Sequence, residues 1–151
     1  MVVPSGSRSG ASSMSLQSAS QPGVASVLRV LLIEDSPVIR EAVAEMIEAD
    51  GRARVAFATD SETAAVRELA AARFDVLIVD LQLREGSGFG VLRALPELKP
   101  DALVIVLTNY ASPAIRQRCA ELGASFCLDK SSEFDEVPKL MMGWARQRGL
   151  A

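Results

Sequence analysis

The chain has 151 residues, 49% of them hydrophobic, and its 16 Lys and Arg against 19 Asp and Glu leave a net charge of −3. That is the length of one domain with enough apolar residues for a core. The slightly acidic balance speaks against a nucleic-acid surface or a polybasic membrane patch. No apolar run reaches the roughly 18 residues of a spanning helix, and the absence of histidine excludes a His-based catalytic triad.

Residues 1–26 are small and polar, as in Pro4-Ser-Gly-Ser-Arg-Ser-Gly10. Without an apolar face such a segment cannot offset its ordering entropy, so a disordered Ser/Gly-rich tail is expected there. It also lacks the continuous apolar stretch of a secretory signal. The ordered domain is expected over residues 27–148, with residues 149–151 as its C-terminal end. Val30-Leu-Leu-Ile33 reads as a first strand, buried on both faces because no polar residue interrupts it. It ends in Glu34-Asp35. Ser36 and Pro37 then read as N-cap and first residue of a helix. Val38, Ala42, Val43, Met46 and Ile47 form its predicted inward stripe, and Gly51 follows its end.

A second strand is predicted over Val55–Ala58, then a helix over about Ser61–Ala72. Val76-Leu-Ile-Val79 is another apolar run that ends in acid, at Asp80. Gly86, Gly88 and Gly90 follow in a loop that leads into a helix stopping near Pro96. The spacing of these glycines fits neither GxGxxG nor GxxxxGK[ST], so dinucleotide and P-loop readings are poor. The fourth strand runs through Ala102–Leu107 to Thr108. A helix starts at Ser112-Pro113 and ends at Gly123. The fifth strand, Ser125-Phe-Cys-Leu-Asp129, leads into Lys130, and a last helix begins near Pro138. The alternation predicts an α/β fold, a doubly wound five-stranded parallel sheet of flavodoxin-like form with strand order 2-1-3-4-5.

Ligands in such sheets bind beyond the carboxyl ends of the strands. Glu34, Asp35 and Asp80 therefore fall around one crevice, an oxygen-rich pocket suited to a hard cation such as Mg²⁺. Thr108 and Lys130 add a hydroxyl and an ammonium at the same edge. An Asp nucleophile, a divalent cation and two groups that hold phosphoryl oxygens make up a phosphoryl-transfer site. Cys119 and Cys127 are not in a CxxC arrangement and read as buried small hydrophobes, which is simplest in a cytoplasmic protein.

In Glu34-Asp35, Asp80, Thr108 and Lys130, with Asp80-Leu-Gln-Leu-Arg-Glu-Gly-Ser-Gly88 and Gly123-Ala-Ser-Phe-Cys-Leu-Asp-Lys130, the chain resembles the receiver domain of two-component response regulators. The resemblance implies a phosphorelay switch in which a histidine kinase or histidine phosphotransfer protein donates a phosphoryl group to Asp80. It implies Mg²⁺ bound directly by Asp35, Asp80 and the backbone carbonyl of Gln82, and by Glu34 through water. Thr108 and Lys130 would contact phosphoryl oxygens, and a downstream protein target would read the resulting change. With no histidine of its own, the chain depends on another molecule for the phosphohistidine. If it is whole, it is a stand-alone, single-domain receiver, a switch rather than an enzyme, acting away from membranes and nucleic acid.

The chain departs from the family's pattern at four places. Arg84 stands where Pro is common, four residues after the phosphoacceptor. Asn109 follows Thr108, where a very small residue is usual. Cys127 replaces an aromatic three residues before Lys130, while Phe126, one residue off, faces the other side of its strand. Ser131 replaces the Pro that usually follows the Lys, so a trans or strained bond is expected there. These support an alternative, a pseudo-receiver that binds partners without phosphorylation. A small-molecule phosphohydrolase is disfavoured, because Asp80-Leu-Gln-Leu-Arg84 lacks the second Asp and the Thr of a DxDxT-type motif.

Overall fold

A computed structural model describes residues 27–150; the expected tail at residues 1–26 lies outside them. The elements run β1 Leu28–Ile33, α1 Pro37–Glu48, β2 Ala53–Thr59, α2 Glu62–Ala71, β3 Val76–Val79, α3 Gly88–Leu98, β4 Leu103–Thr108, α4 Pro113–Glu121, β5 Phe126–Asp129, a 3₁₀ turn Phe134–Glu136 and α5 Val137–Gln147. The strands form one parallel sheet in the order β2-β1-β3-β4-β5, as the sequence predicts. No helix of the described residues is long and apolar enough to cross a membrane.

The uninterrupted apolar runs are explained by two cores, one on each face of the sheet. Val30, Leu32, Val76, Ile78, Leu103, Ile105 and Leu107 meet Val43 and Ile47 of α1 and Met141 and Ala145 of α5. Their strand neighbours Leu31, Ile33, Leu77, Val79, Val104 and Val106 meet Ala65 of α2, Val91, Leu92 and Leu95 of α3 and Cys119 of α4. A pleated strand sends successive side chains to opposite faces, so burial on both requires every position to be apolar.

The helix starts follow the sequence closely. Ser36, Ser61, Ser87 and Ser112 each accept a hydrogen bond from the backbone N–H three residues on, which satisfies a donor left open at a helix N-terminus. Three details differ. Val38, assigned to the inward stripe of α1, is 74% exposed, and Ile39 packs on the core instead. The strand β2 is longer than predicted and begins at Ala53; Val30 pairs with Val55 but Leu31 with Phe57, leaving Ala56 as an extra residue in its edge strand. Finally, α3 begins at Gly88 and runs through Pro96 to Leu98. A proline so near the end removes one intrahelical bond, and Lys99, in the left-handed region at φ 46° with its N–H on the Leu95 carbonyl, closes the helix.

Candidate functional site

The sheet's own hydrogen bonds place the site residues, each the last of its strand or just past it. Glu34 N–H donates to the Thr59 carbonyl at 2.9 Å, Asp80 N–H to the Ile33 carbonyl at 2.8 Å and Lys130 N–H to the Thr108 carbonyl at 2.9 Å. Pairing thus continues one residue past the apolar runs and fixes three chemistry-bearing backbones in register. Arg40, one turn into α1, donates from Nη1 to the Glu34 carbonyl at 2.8 Å and braces the first acidic turn.

The side chains converge on one ammonium. Lys130 Nζ lies 2.9 Å from Glu34 Oε1 and 3.1 Å from Asp80 Oδ2. Its side chain is only 9% exposed, and those of Glu34 and Asp80 2% and 7%. Glu34 Oε2 also accepts the Ser36 N–H at 3.0 Å, and Asp80 Oδ1 accepts the Gln82 N–H at 3.3 Å. Buried charge survives where it is paired and hydrogen-bonded, and these carboxylates are both.

Burial raises the Glu34 carboxyl above the ordinary glutamate range, although the Ser36 N–H and Lys130 pull the other way. For Lys130, burial opposes the charged form, but the Glu34 hydrogen bond and the Asp80 charge together outweigh it and hold the ammonium above its usual value. The two directions agree physically: a proton is retained where two buried carboxylates share a single cation.

Thr108 is 1% exposed, and its Oγ1 accepts the Tyr110 N–H at 3.2 Å. Asp35, next to Glu34, is exposed, and so is Gln82, two residues after Asp80. Glu34, Asp80 and Lys130 are therefore in direct contact, while Asp35 and Gln82 flank them. Among the described residues no three acidic, His or Cys side chains are gathered closely enough to hold a metal ion as they stand. The donor set nonetheless fits a hard cation. Every candidate ligand is an oxygen, and the buried carboxylates already close on a positive charge, that of Lys130.

The four departures each have a structural counterpart. Arg84 forks onto Asp60, Nε to Oδ2 at 2.7 Å and Nη2 to Oδ1 at 3.1 Å. Asn109 is exposed beside Thr108. Cys127 packs in the core on the α2, α3 and α4 side, whereas Phe126 is 41% exposed and faces Leu140, Gly143 and Trp144 of α5. No cis peptide bond occurs among the described residues, and Ser131 N–H is held by Asp129 Oδ1 at 2.8 Å. Sequence reasoning missed Asp60 and also Arg116. The latter donates to the Ala111 carbonyl at 2.9 Å, to the Cys127 carbonyl and to Glu133 Oε1 at 2.9 Å, so that it joins the loop after Thr108 to the loop after Lys130. Nothing in local spacing signals either partnership.

Comparison with known proteins agrees with this fold. A family profile described as the response regulator receiver domain matches residues 30–141. A protein-glutamate methylesterase/protein-glutamine glutaminase from Syntrophus aciditrophicus is 32% identical over 70% of this chain and 31% of its own length. The DNA-binding transcriptional activator DevR/DosR of Mycobacterium tuberculosis is 30% identical over 66% of this chain and 46% of its own. The chain thus spans less than half the length of either relative. Among solved structures, the signal receiver domain of a NarL response regulator from Mycobacterium tuberculosis superposes with a TM-score of 0.73 at 26% identity, covering 80% of this chain and 98% of that one. The response regulator domain of Thermotoga maritima CheB, at 23% identity and a TM-score of 0.67 over 80% of this chain and 95% of that one, shares the fold.

Proposed function

Since the chain belongs to the response regulator receiver family, we propose that it is a phosphorelay switch with Asp80 as its phosphoacceptor. The observation that carries this is the ammonium of Lys130 held 2.9 Å from Glu34 and 3.1 Å from Asp80 on three separate strand ends. In the reaction an Asp80 carboxylate oxygen attacks the phosphorus of a partner's phosphohistidine. The P–N bond breaks as the new P–O bond forms, and the imidazole leaves with its electron pair. Lys130 releases Asp80 Oδ2 and takes up a phosphoryl oxygen, and the Thr108 hydroxyl turns from the Tyr110 N–H to another. Such groups stabilise the charge that spreads over the transferring phosphoryl.

Asp35, Asp80 and the Gln82 carbonyl would hold Mg²⁺ directly and Glu34 through water. The ion supplies neutralisation of phosphoryl charge in a crevice of carboxylates that would otherwise repel an anionic donor. The chain's own part is to hold these oxygens in register, exclude bulk water from Glu34 and Asp80, and keep a cation within reach of the acceptor. The partner is a histidine kinase or histidine phosphotransfer protein, and a further protein reads the altered loop after Thr108. The place of action is the cytoplasm. The chain acts as a switch, turning over at most its own aspartyl phosphate.

Intact-mass spectrometry after incubation with acetyl phosphate tests this reading. One phosphoryl adduct is expected with Mg²⁺, and none with EDTA or in Asp80→Asn. Label that survives EDTA, or persists in Asp80→Asn, refutes the assignment. A wild-type chain that takes no label at all would favour the pseudo-receiver, to which Arg84, Asn109, Cys127 and Ser131 lend support.

A further inference from the structure

The segment between β3 and α3 is held from outside, by the turn that joins β2 to α2. Arg84 forks onto Asp60 with two bonds of 2.7 and 3.1 Å. The backbones run together as well: Arg84 N–H donates to the Asp60 carbonyl at 3.1 Å, and Glu62 N–H donates to the Glu85 carbonyl at 2.9 Å. Side chains cross in both directions. The Glu85 carboxylate accepts the Thr63 N–H at 3.1 Å, while the Glu62 carboxylate accepts the Ser87 N–H at 2.9 Å. Glu62 fills the space that a Cβ at Gly86 or Gly90 would need. The two segments behave as one body.

We infer that the Asp60–Arg84 pair is a positioning clasp that sets the Gln82 carbonyl for the cation. The inference rests on the reading of Asp80 as phosphoacceptor. Gln82 lies outside helix and strand and is exposed, so its carbonyl direction is set by what holds the chain on either side. On one side its N–H is tied to Asp80 Oδ1 at 3.3 Å. On the other it bridges antiparallel to Ser87 within its own loop, where Gly88 N–H donates to the Leu81 carbonyl at 3.0 Å, and Arg84 ties that loop to the β2–α2 turn. Two parallel bonds from a guanidinium to a carboxylate fix orientation as well as distance. With Arg84 67% and Asp60 26% exposed, the pair adds little to overall stability; what it supplies is geometry. Arg84 thereby does through a distant partner what a proline ring at that position does locally.

Charge alone makes a different forecast, which gives the test its force. Removing the Arg84 cation near an acidic crevice should tighten Mg²⁺ binding, whereas removing the Asp60 anion should weaken it. A clasp requires both to weaken it. Isothermal titration of Mg²⁺ without a phosphodonor, and melting in EDTA, are measured for wild type, Asp60→Ala, Arg84→Ala, the double variant and Arg84→Lys. Each single Ala variant is expected to bind Mg²⁺ about tenfold more weakly, the low end for loss of a group that orients a ligand. The double variant should be no weaker than either single, since one interaction is lost in all three. Arg84→Lys, which keeps the charge but not the fork, should lose most of the affinity.

Opposite shifts in the two single variants, additive losses, or wild-type affinity in Arg84→Lys would each overturn the clasp. So would a fall in melting temperature of more than about 5 °C in both Ala variants, which would make the pair a support of the fold. If the wild type neither binds Mg²⁺ nor accepts phosphate, the phosphoacceptor reading itself fails. Normal wild-type binding with unaffected variants overturns the clasp alone.

Discussion

Replacing Lys130 by Met keeps an unbranched apolar stem and removes only the cation between Glu34 and Asp80. Two attractions at about 3 Å are lost, each about 5 kcal/mol at an effective dielectric near 20. Against this, the ammonium no longer has to be desolvated, a saving of several kcal/mol. The remainder, about 3 kcal/mol, matches the cost of breaking a buried pair and leaving charge uncompensated. For a domain of this size each kcal/mol shifts melting by about 3–5 °C, so a fall of about 10 °C is expected at pH 7.5 in EDTA.

The loss should depend on pH, with a definite sign. The folded-state carboxyl of Glu34 is raised by burial above its unfolded value of 4.5, and removing Lys130 takes away two influences that lower it. Such a group leaves stability intact below the unfolded pKa and erodes it as pH rises through the folded one. The gap between wild type and Lys130→Met should therefore be small near pH 4 and fully open at pH 7.5. Lys130 itself, raised above 10.5 in the fold, contributes stability that is constant across this window and lost only at more alkaline pH. Circular dichroism melts from pH 4 to 8 in EDTA measure the gap. If it is the same at both ends, the stem's packing rather than its charge is responsible, and the electrostatic account fails.

Three further outcomes follow from the same structure. In Gly88→Ala the new Cβ would collide with the Asp80 carbonyl oxygen and lie 2.8 Å from Leu81 Cα. Backbone cannot yield cheaply, so about 2 kcal/mol should be lost in urea unfolding together with acetyl phosphate labelling. Gly51→Ala, at φ 77° with nothing within 4 Å, should cost about 1 kcal/mol and leave labelling unchanged. Cys119 is fully buried, and that burial first of all pushes its thiol up to about 12; burial also raises Cys127. Ellman's reagent at pH 8 should find no rapidly reacting thiol until guanidinium unfolds the chain, and a fast native thiol would contradict the packing of α4 on the sheet.

The fold was legible because its signals are local and redundant. Val30–Ile33, Val76–Val79 and Leu103–Leu107 contain no polar residue, and only burial on both faces tolerates that. The serines at 36, 61 and 112 mark three helix starts through bonds spanning three residues, whereas Ser87, which caps α3 in the same way, lay hidden in the glycine-rich stretch. The contact of Glu34 and Asp80 with Lys130 was foreshadowed for a related reason, since parallel strands in register bring their ends together whatever the loops do. Local signals failed where the element's end mattered more than its period. Val38 has the right spacing for the inward face of α1, but it sits in the first turn, where Ile39 and not Val38 reaches the core. Pro96 is a helix breaker by chemistry, yet as the third-last residue of α3 it costs a single bond.

The departures at Arg84, Cys127 and Ser131 mark the deeper limit. On the sequence each is a loss: a missing proline, a missing aromatic, a second missing proline. In the fold each position is held by another route. Arg84 is forked onto Asp60, the Cys127 carbonyl is bound by Arg116, and Ser131 N–H is fixed by Asp129. A proline rigidifies through its own ring and can be read one residue at a time. An arginine does so only through a carboxylate or carbonyl that the fold brings beside it, 24 residues away in sequence for Asp60 and 11 for Cys127. At Arg84 and Cys127, local rigidity is thus exchanged for rigidity that exists only once the sheet has formed. The loops around Asp80 and Thr108 should accordingly order together with the β2–α2 turn and α4 rather than ahead of them.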